Sequence, residues 1–407
     1  MNKILAYGVR LPRNFGGPSI VSGFVETLKA VDSDCKIVIY CLDSLENVEV
    51  VGSAASIKAQ PVSSKWLLLS YFLQKWFGIT LGNREEVRVF WEDFKNANVV
   101  VNLYGICFCD KFGGADPCVL ARVKGAMSAL LQFPINFIAK MENKRSVKCT
   151  ASYGPVTRKC TQSAARFATR FCFDGMIARE KESLEVIKKM SRVNYAVMLS
   201  PDIANAMKCS AKRQETQYGK VGISVSFQII KQWGGKKDMY YSCIRSLVEK
   251  ILQLGCRSVI LLPNEIKGKG TFDDSVVAHE IKTMFADNDQ VVVHDVELKN
   301  AAETKDEIAS CDVFVASRYH SCVAALSSGV PLLVIGWHYK YENLMELYGQ
   351  KEWLLSTCDC TPEILVEKFC GLWHKKESIR RELKNRAQCV LNKVYESGKF
   401  ILGIENG

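Results

Sequence analysis

The chain has 407 residues, which is enough for two domains of ordinary size. Its 48% hydrophobic and 24% charged residues allow a full core and exclude a disordered or disulfide-dependent chain. A net charge of +11 points to anionic ligands or surfaces without choosing among them. Zinc-finger spacing and interleaved aromatic–basic motifs are absent, so nucleic acid is not an expected partner. The 17 cysteines are scattered and form no C-x-x-C pair, and CFC (107–109) and CDC (358–360) have no partner pairs at zinc-like spacing. Free thiols in a reducing cytoplasm are the simplest reading.

The chain opens on a strand-like segment, KILAYGV (3–9), with no long apolar region of a secretory signal. A Gly-rich loop, RNFGGPS, a helix over 20–30 and a second buried strand, CKIVIYC (35–41), follow. The segment SKWLLLSYFLQKWFGITLG (64–82) is interrupted by Gln74 and Lys75 and is shorter than the about 20 apolar residues a bilayer span requires. It reads either as a buried helix or as a surface helix whose Trp66, Phe72, Trp76 and Phe77 touch lipid or a lipid-linked substrate. Further apolar runs occur at 96–105, 147–155 and 173–180, each followed by a polar or helical stretch.

The pattern breaks over 205–220, a polar linker candidate, and then resumes. Strands are expected at 221–227, 258–264, 290–295, 312–317 and 331–337, with helices between them. Two terminal helices are expected, over 362–373 and 377–395. Continuous apolar runs separated by helices predict parallel sheets covered on both faces. The expected fold class is therefore α/β: two Rossmann-like doubly wound domains facing a cleft, GT-B-like, with a C-terminal helical tail. The expected units are 1–204; a linker over 205–220; 221–360; and helices over 361–407. Ligands in such sheets bind beyond the carboxyl ends of the strands, which here is the cleft.

The stretch ASRYHSCVAALSSGVPLLVIGW (316–337) carries most of the chemistry. Ser317, Arg318 and His320 fall on the loop between a strand and a helix, with Ser317 the expected N-cap. A helix start attracts anions, an arginine fork suits phosphate or carboxylate, and a histidine can move a proton near neutral pH. Glu265 and His338 are weaker candidates, expected at the cleft by location alone. His279, His294 and His374 are expected at the surface, His374 at a helix boundary. The loop over 266–274 lacks G-x-x-x-x-G-K-S/T, so it is no P-loop, and RNFGGPS lacks the dinucleotide spacing.

The segment ASRYHSCVAALSSGVPLLVIGWHYKYENLMELYG resembles the C-terminal signature of the polysaccharide pyruvyl transferase family, with Arg318, His320, Ser321, Gly329, Pro331 and Lys340 at the matching positions. Looser matches are MIAREKESLEVIKKM, which places Arg179, Glu180 and Ser183, and the segments ASYGPVT and LSPDIANAM. The first loop departs from the family pattern: it has Asn14, Gly16 and Gly17 but no Asp.

The resemblance implies transfer of the pyruvyl group of phosphoenolpyruvate to a saccharide diol, releasing phosphate, with 1–204 as the acceptor side and 221–360 as the donor side. Arg179, Arg318 and Lys340 would bind the donor anion, with Asn14, Gly16, Gly17 and Ser321 in the substrate site. His320 would be the general acid or a phosphate ligand. Glu180 would orient Arg179, and Asp174 and Asp202 are either bases or caps. No metal or cofactor is expected. The acceptor is a saccharide, lipid-linked in one reading, and the location is cytoplasmic, at the inner membrane face in that same reading.

Two alternatives stay open. An inverting GT-B glycosyltransferase has the same fold, whereas the retaining type is disfavoured by Ala316 and Ala324, which stand where it has glutamates. A non-catalytic glycan-binding relative would explain the altered first loop.

Overall fold

The computed structural model describes residues 1–11, 14–42, 54–63, 66–110, 121–209, 219–266, 273–294 and 301–404. The first sheet contains β1 (Lys3–Val9), β2 (Lys36–Cys41), β3 (Ser56–Ala59), β4 (Val99–Asn102), β5 (Ile106–Cys107), β6 (Arg145–Tyr153), β7 (Gly175–Ala178) and β8 (Ala196–Leu199). The strands are parallel in the order β3-β2-β1-β4-β6-β7-β8, and β5 adds to β6. Its helices are α1 (Gly16–Val31), α2 (Leu67–Phe77), α3 (Arg84–Asn96), α4 (Ala121–Gln132), α5 (Pro134–Met141), α6 (Lys159–Phe171) and α7 (Lys181–Met190).

The second sheet contains β9 (Lys220–Ser224), β10 (Ser258–Leu261), β11 (Val291–Val293), β12 (Val313–Ala316), β13 (Leu332–Gly336) and β14 (Leu354–Ser356). They are parallel in the doubly wound order β11-β10-β9-β12-β13-β14. Its helices are α8 (Phe227–Gln232), α9 (Lys237–Gln253), α10 (Asp274–Thr283), α11 (Ala301–Ala309), α12 (Tyr319–Ser327) and α13 (Tyr339–Leu347). The chain closes with α14 (Pro362–Leu402). The α/β alternation read from the sequence is thus the architecture, with two sheets whose carboxyl edges meet at a cleft.

Side-chain alternation sorts each strand between two cores. In β1, Leu5 and Tyr7 join a cluster with Phe90 and Trp91 beneath α2, α3 and α5. Ile4 and Ala6 face the other way, into a cluster that continues through Val221 and Val315 of the second sheet. That larger cluster also takes Phe369, Leu383 and Val394 of α14. Here the structure differs from the expected tail: α14 is one helix of 41 residues, not two. The run His374–Lys376 holds no Gly or Pro to stop it, and the Lys376 ammonium lies 4.0 Å from the Trp373 ring centre. His374 is exposed within the helix rather than at a boundary.

The helix also ties the halves together. The Arg380 guanidinium donates to the Asp312 carbonyl (2.7 Å), beside the second sheet. At the far end Arg145 of β6 donates to the carbonyls of Phe400 (2.6 Å) and Ile401 (3.0 Å), a cation on a helix C-terminus.

The first residues of the expected linker are not linker-like. Asn205, Ala206 and Met207 are buried, and the 3-10 turn Ile203–Ala206 lies so close to α1 that a Cβ on Gly23 would overlap the Ile203 carbonyl. Residues 210–218 of that linker and 267–272 of the loop that is no P-loop lie outside the described residues. His294 is half-buried, not at the surface as expected, while His279 is exposed. The 16 cysteines among the described residues are all free. No helix of the described residues is long and apolar enough to cross a membrane.

Candidate active site

Three helices start at the cleft, and each start is built differently. At α1 the Asn14 side chain accepts from the Gly16 amide (2.7 Å), while the Phe15 amide donates to the Asn264 carbonyl (3.0 Å) beyond β10. The first sheet's helix is thereby stitched to the second sheet. Gly16 and Gly17 open α1 because neither can carry a side chain. A Cβ on Gly16 would lie 2.6 Å from His320 Nδ1, and one on Gly17 would overlap the Arg10 carbonyl oxygen.

At α12 the N-cap position belongs to Arg318, not Ser317 as expected. Ser317 is buried at the strand end, where its carbonyl accepts from the Tyr341 hydroxyl (2.9 Å). His320 therefore lies in the first turn of α12, above the first residue of α1. At α13 the N-cap is His338, whose Nδ1 accepts from the Lys340 amide (3.3 Å). His338 thus starts a helix, and Lys340 projects from its first turn.

The two arginines are held by carboxylates on the protein's own side. Arg179, buried at the end of β7, donates to Ser152 (2.8 Å) and Glu180 (2.9 Å) and pairs with Asp202. Its guanidinium stacks 4.4 Å from the Tyr319 ring centre. Arg318 grips Asp274 with two bonds of 2.8 and 2.6 Å and reaches Glu265 at 3.0 Å. Glu265 is accordingly an arginine-holding residue, and it does not line the cleft cavity. These bonds use Nε and one terminal nitrogen of each arginine. Among the described residues Nη2 of Arg179 and Nη1 of Arg318 have no partner.

Lys340 and His320 differ from the arginines. The Lys340 ammonium sits among Trp337, Tyr341 and Tyr319, at 4.9, 5.3 and 5.4 Å from their ring centres. No carboxylate pairs with it among the described residues. Burial first, then repulsion from Arg179, pushes its pKa down to about 7. His320 Nε2 lies 3.8 Å from the nearer Asp202 oxygen, beyond hydrogen-bond reach, and is buried without a partner. Burial holds the imidazole neutral, with its pKa down to about 4 despite Asp202.

These groups wall a cavity of about 670 Å³. Arg179, Arg318, His320 and Lys340 line one side, Asn14, Gly16 and Gly17 the floor, and Tyr104, Phe108 and Gln132 the side of the first sheet. A second cavity of about 550 Å³ lies behind the partition formed by Arg179, Tyr319 and Lys340. Ser321 stays out of both cavities: it is buried and donates to Asn264 at 3.2 Å. Among the described residues no group of His, Cys, Asp or Glu is arranged to hold a metal ion.

A sequence profile of the polysaccharide pyruvyl transferase family matches residues 14–339. The chain belongs to this family. No curated protein is significantly similar in sequence. Among solved structures, a candidate UDP-N-acetylglucosamine 2-epimerase from Listeria monocytogenes superposes with TM-score 0.61 at 10% identity, covering 99% of this chain and 97% of its own. MnaA of S. aureus, solved with UDP, gives 0.55 at 10% identity, with 100% and 98% covered. UGT71G1 of Medicago truncatula, solved with UDP-glucose, gives 0.54 at 10% identity, with 99% and 98% covered. At such identities the likeness shows the GT-B fold alone. Ala316 and Ala324 are buried in the core of this pyruvyl transferase relative and bring no carboxylate to its cleft.

Of the residues singled out from the sequence, the fold brings Arg179, Arg318, His320, Lys340, Asn14, Gly16 and Gly17 to one cavity. Ser321, Glu265 and His338 support them from behind. Asp174 is remote from the cavity, paired with Lys140 and accepting from the Ser146 amide (2.8 Å). Asp202 is both a cap, accepting from the Ala204 amide (3.0 Å), and the carboxylate between Arg179 and His320. Sequence reasoning missed Tyr319 and Trp337, although the aromatic between Arg318 and His320 was visible. It also missed Asp274, which no sequence pattern links to Arg318, 44 residues away.

Proposed function

We propose that the protein transfers the pyruvyl group of phosphoenolpyruvate to two hydroxyls of a saccharide, forming a pyruvate ketal in surface-glycan assembly on the cytoplasmic side. One observation carries this reading. A lysine without a carboxylate partner and a histidine nitrogen without a hydrogen bond line one cavity at converging helix starts. Such a place suits an anion that brings a basic atom with it. The unused terminal nitrogens of Arg179 and Arg318 add donors of fixed direction.

The chemistry follows from these groups. The donor binds with its phosphate and carboxylate against Lys340 and the arginines. Protonation of its methylene carbon leaves an oxocarbenium-like centre, the first hydroxyl oxygen adds to it, phosphate departs from the resulting tetrahedral carbon, and the second hydroxyl oxygen adds in its place. Of the two protons the hydroxyls release, one ends on the new methyl group and the other on phosphate. His320 is the group in position to carry a proton between them. Glu180, Asp202, Asp274 and Glu265 outnumber Arg179 and Arg318, so among these groups the attraction for a donor anion depends on Lys340 being protonated.

The test is incubation with phosphoenolpyruvate and a saccharide acceptor, reading phosphate release and the new methyl resonance by NMR. Replacing His320 by Ala is expected to slow turnover by about 10²–10⁴-fold with the fold retained. Unchanged phosphate release in His320→Ala, or nucleoside diphosphate release from a sugar nucleotide in its place, would sink the reading.

A pH dependence follows from the same lysine. Its pKa of about 7 in the empty site means that donor binding draws in a proton above that pH. Phosphoenolpyruvate affinity should fall as pH rises from 7 to 9, with about one proton taken up per donor bound at pH 8. Calorimetry in buffers of different ionisation enthalpy measures that number directly. A flat affinity across this range would show that Lys340 is not a donor ligand.

A further inference from the structure

We propose that the helix layer formed by α2, α5, α4 and α6 is a docking surface for an anionic lipid bilayer. These helices pack in that order: α2 on α5, α5 on α4, and α4 on α6. Two properties coincide on them.

The first is outward apolar surface. Trp76 and Phe77 at the end of α2 are 66% and 68% exposed, and Val123 of α4 is 64% exposed. Trp66, Met127 and Leu131 are exposed as well. Val123, Met127 and Leu131 recur every fourth residue and form one stripe of α4. The opposite stripe, Ala121, Gly125 and Ala129, is buried. A Cβ on Gly125 would overlap the Cys160 carbonyl of α6, so the small residues seat α4 closely and its apolar stripe is held outward. The sequence allowed α2 to be either a buried or a surface helix. The structure makes it both: Leu67, Ser70 and Tyr71 are buried while its aromatic end stands in solvent.

The second property is charge. None of the four helices contains an Asp or a Glu. Arg122, Lys124, Arg166 and Arg170 are exposed on α4 and α6. Lys75 and Lys140 are paired with Glu142 and Asp174 and are set aside. The neighbouring α3, which packs into the same core as α2, carries Glu85, Glu86, Glu92 and Asp93. Among the described helices of the first sheet, the loss of acidic residues is therefore confined to the apolar layer, since α1 and α7 carry glutamates as well.

Exposed apolar groups alone would suit a protein partner, and acid-free basic helices alone would suit any polyanion. Their overlap matches a surface that is anionic at the headgroups and apolar just below, where tryptophan is at home. The bilayer contact stands without the transferase reading. If that reading holds, the geometry also narrows the acceptor. Ser128 and Gln132 of α4 and Thr161 of α6 line the cleft cavity, so the docking layer forms its rim. A saccharide carried on a membrane lipid would arrive at that rim.

The full chain is sedimented with vesicles of phosphatidylcholine alone, or with about one-third phosphatidylglycerol, without donor or acceptor present. Binding is expected only to the anionic vesicles and should weaken as salt is raised, because the screening length shortens. Trp76→Ser with Phe77→Ser, and separately Arg122→Glu with Lys124→Glu, should each weaken it by about tenfold or more. Circular dichroism and the melting temperature check that these surface variants keep the fold. A chain that stays in the supernatant overturns the proposal, as does binding that both double variants leave unchanged. Binding to heparin but not to vesicles assigns the layer to a soluble polyanion and overturns it as well. Turnover on a soluble acceptor should be unaffected by the Trp76 and Phe77 changes, so loss of activity and loss of docking are read separately.

Discussion

Lys340→Met is expected to lose donor binding and turnover by about 10²–10³-fold while the empty protein becomes no less stable. The two effects have one origin. In the empty cavity the Lys340 ammonium is desolvated, faces Arg179 and has aromatic rings where a carboxylate would be needed. Such a charge costs stability until an anion arrives. Methionine keeps the length of the stem and packs against Trp337, Tyr319 and Tyr341 without that cost. A gain of about 0.5–2 kcal/mol in unfolding free energy is in the range of relieved functional strain.

The sign has a pH signature. The folded pKa of about 7 lies below the 10.5 of an unperturbed lysine, so the unfolded chain holds this proton longer. Stability of the parent therefore rises from pH 7 to about pH 10 on this account, and the slope is missing in the variant. Urea unfolding at pH 7 and pH 9, beside a donor titration, measures both. A variant that binds donor normally, or unfolds several kcal/mol more easily, contradicts the assignment.

How much of this was legible in the sequence depends on the range of the interaction. The sheets were legible because buried parallel strands such as Gly175–Ala178 and Val313–Ala316 are uninterrupted apolar runs. The edge strands Ser56–Ala59 and Ala196–Leu199 were not, because each has both ends exposed and its middle only half-buried. The site was legible where one local motif holds it: Arg318, His320 and Lys340 come from a single strand–helix–strand–helix unit. What could not be read is the charge balance. Asp274 and Asp202 lie far along the chain from the arginines they neutralise, and only the fold brings them together. Three cations in the sequence therefore suggested an open anion trap. The structure leaves one cation and one imidazole free to answer the ligand, with two arginines already braced.

That bracing predicts the largest stability effect. Arg179→Met should lower the unfolding free energy by about 3–5 kcal/mol at pH 7. The side chains of Arg179, Glu180 and Asp202 are only 2, 2 and 1% exposed, so removing the guanidinium leaves two carboxylates in the interior with no cation to answer them. Tyr319 also loses the nearer of the two cations at its ring. In the parent, burial raises the Asp202 pKa, but Arg179 and then His320 more than offset it, and the carboxyl ends below its ordinary value of 3.8. Its contribution is present above that value and is lost as pH falls through the folded pKa. The variant should behave oppositely: with the cation gone Asp202 rises instead, and acidification from pH 8 to pH 5 neutralises it and narrows the gap between variant and parent. A triple change, Arg179→Met with Glu180→Gln and Asp202→Asn, removes the stranded charges and should recover much of the loss. Denaturant unfolding of parent, single and triple variants at both pH values separates this from simple loss of packing. A packing defect would leave the triple variant no better than the single one and would be indifferent to pH.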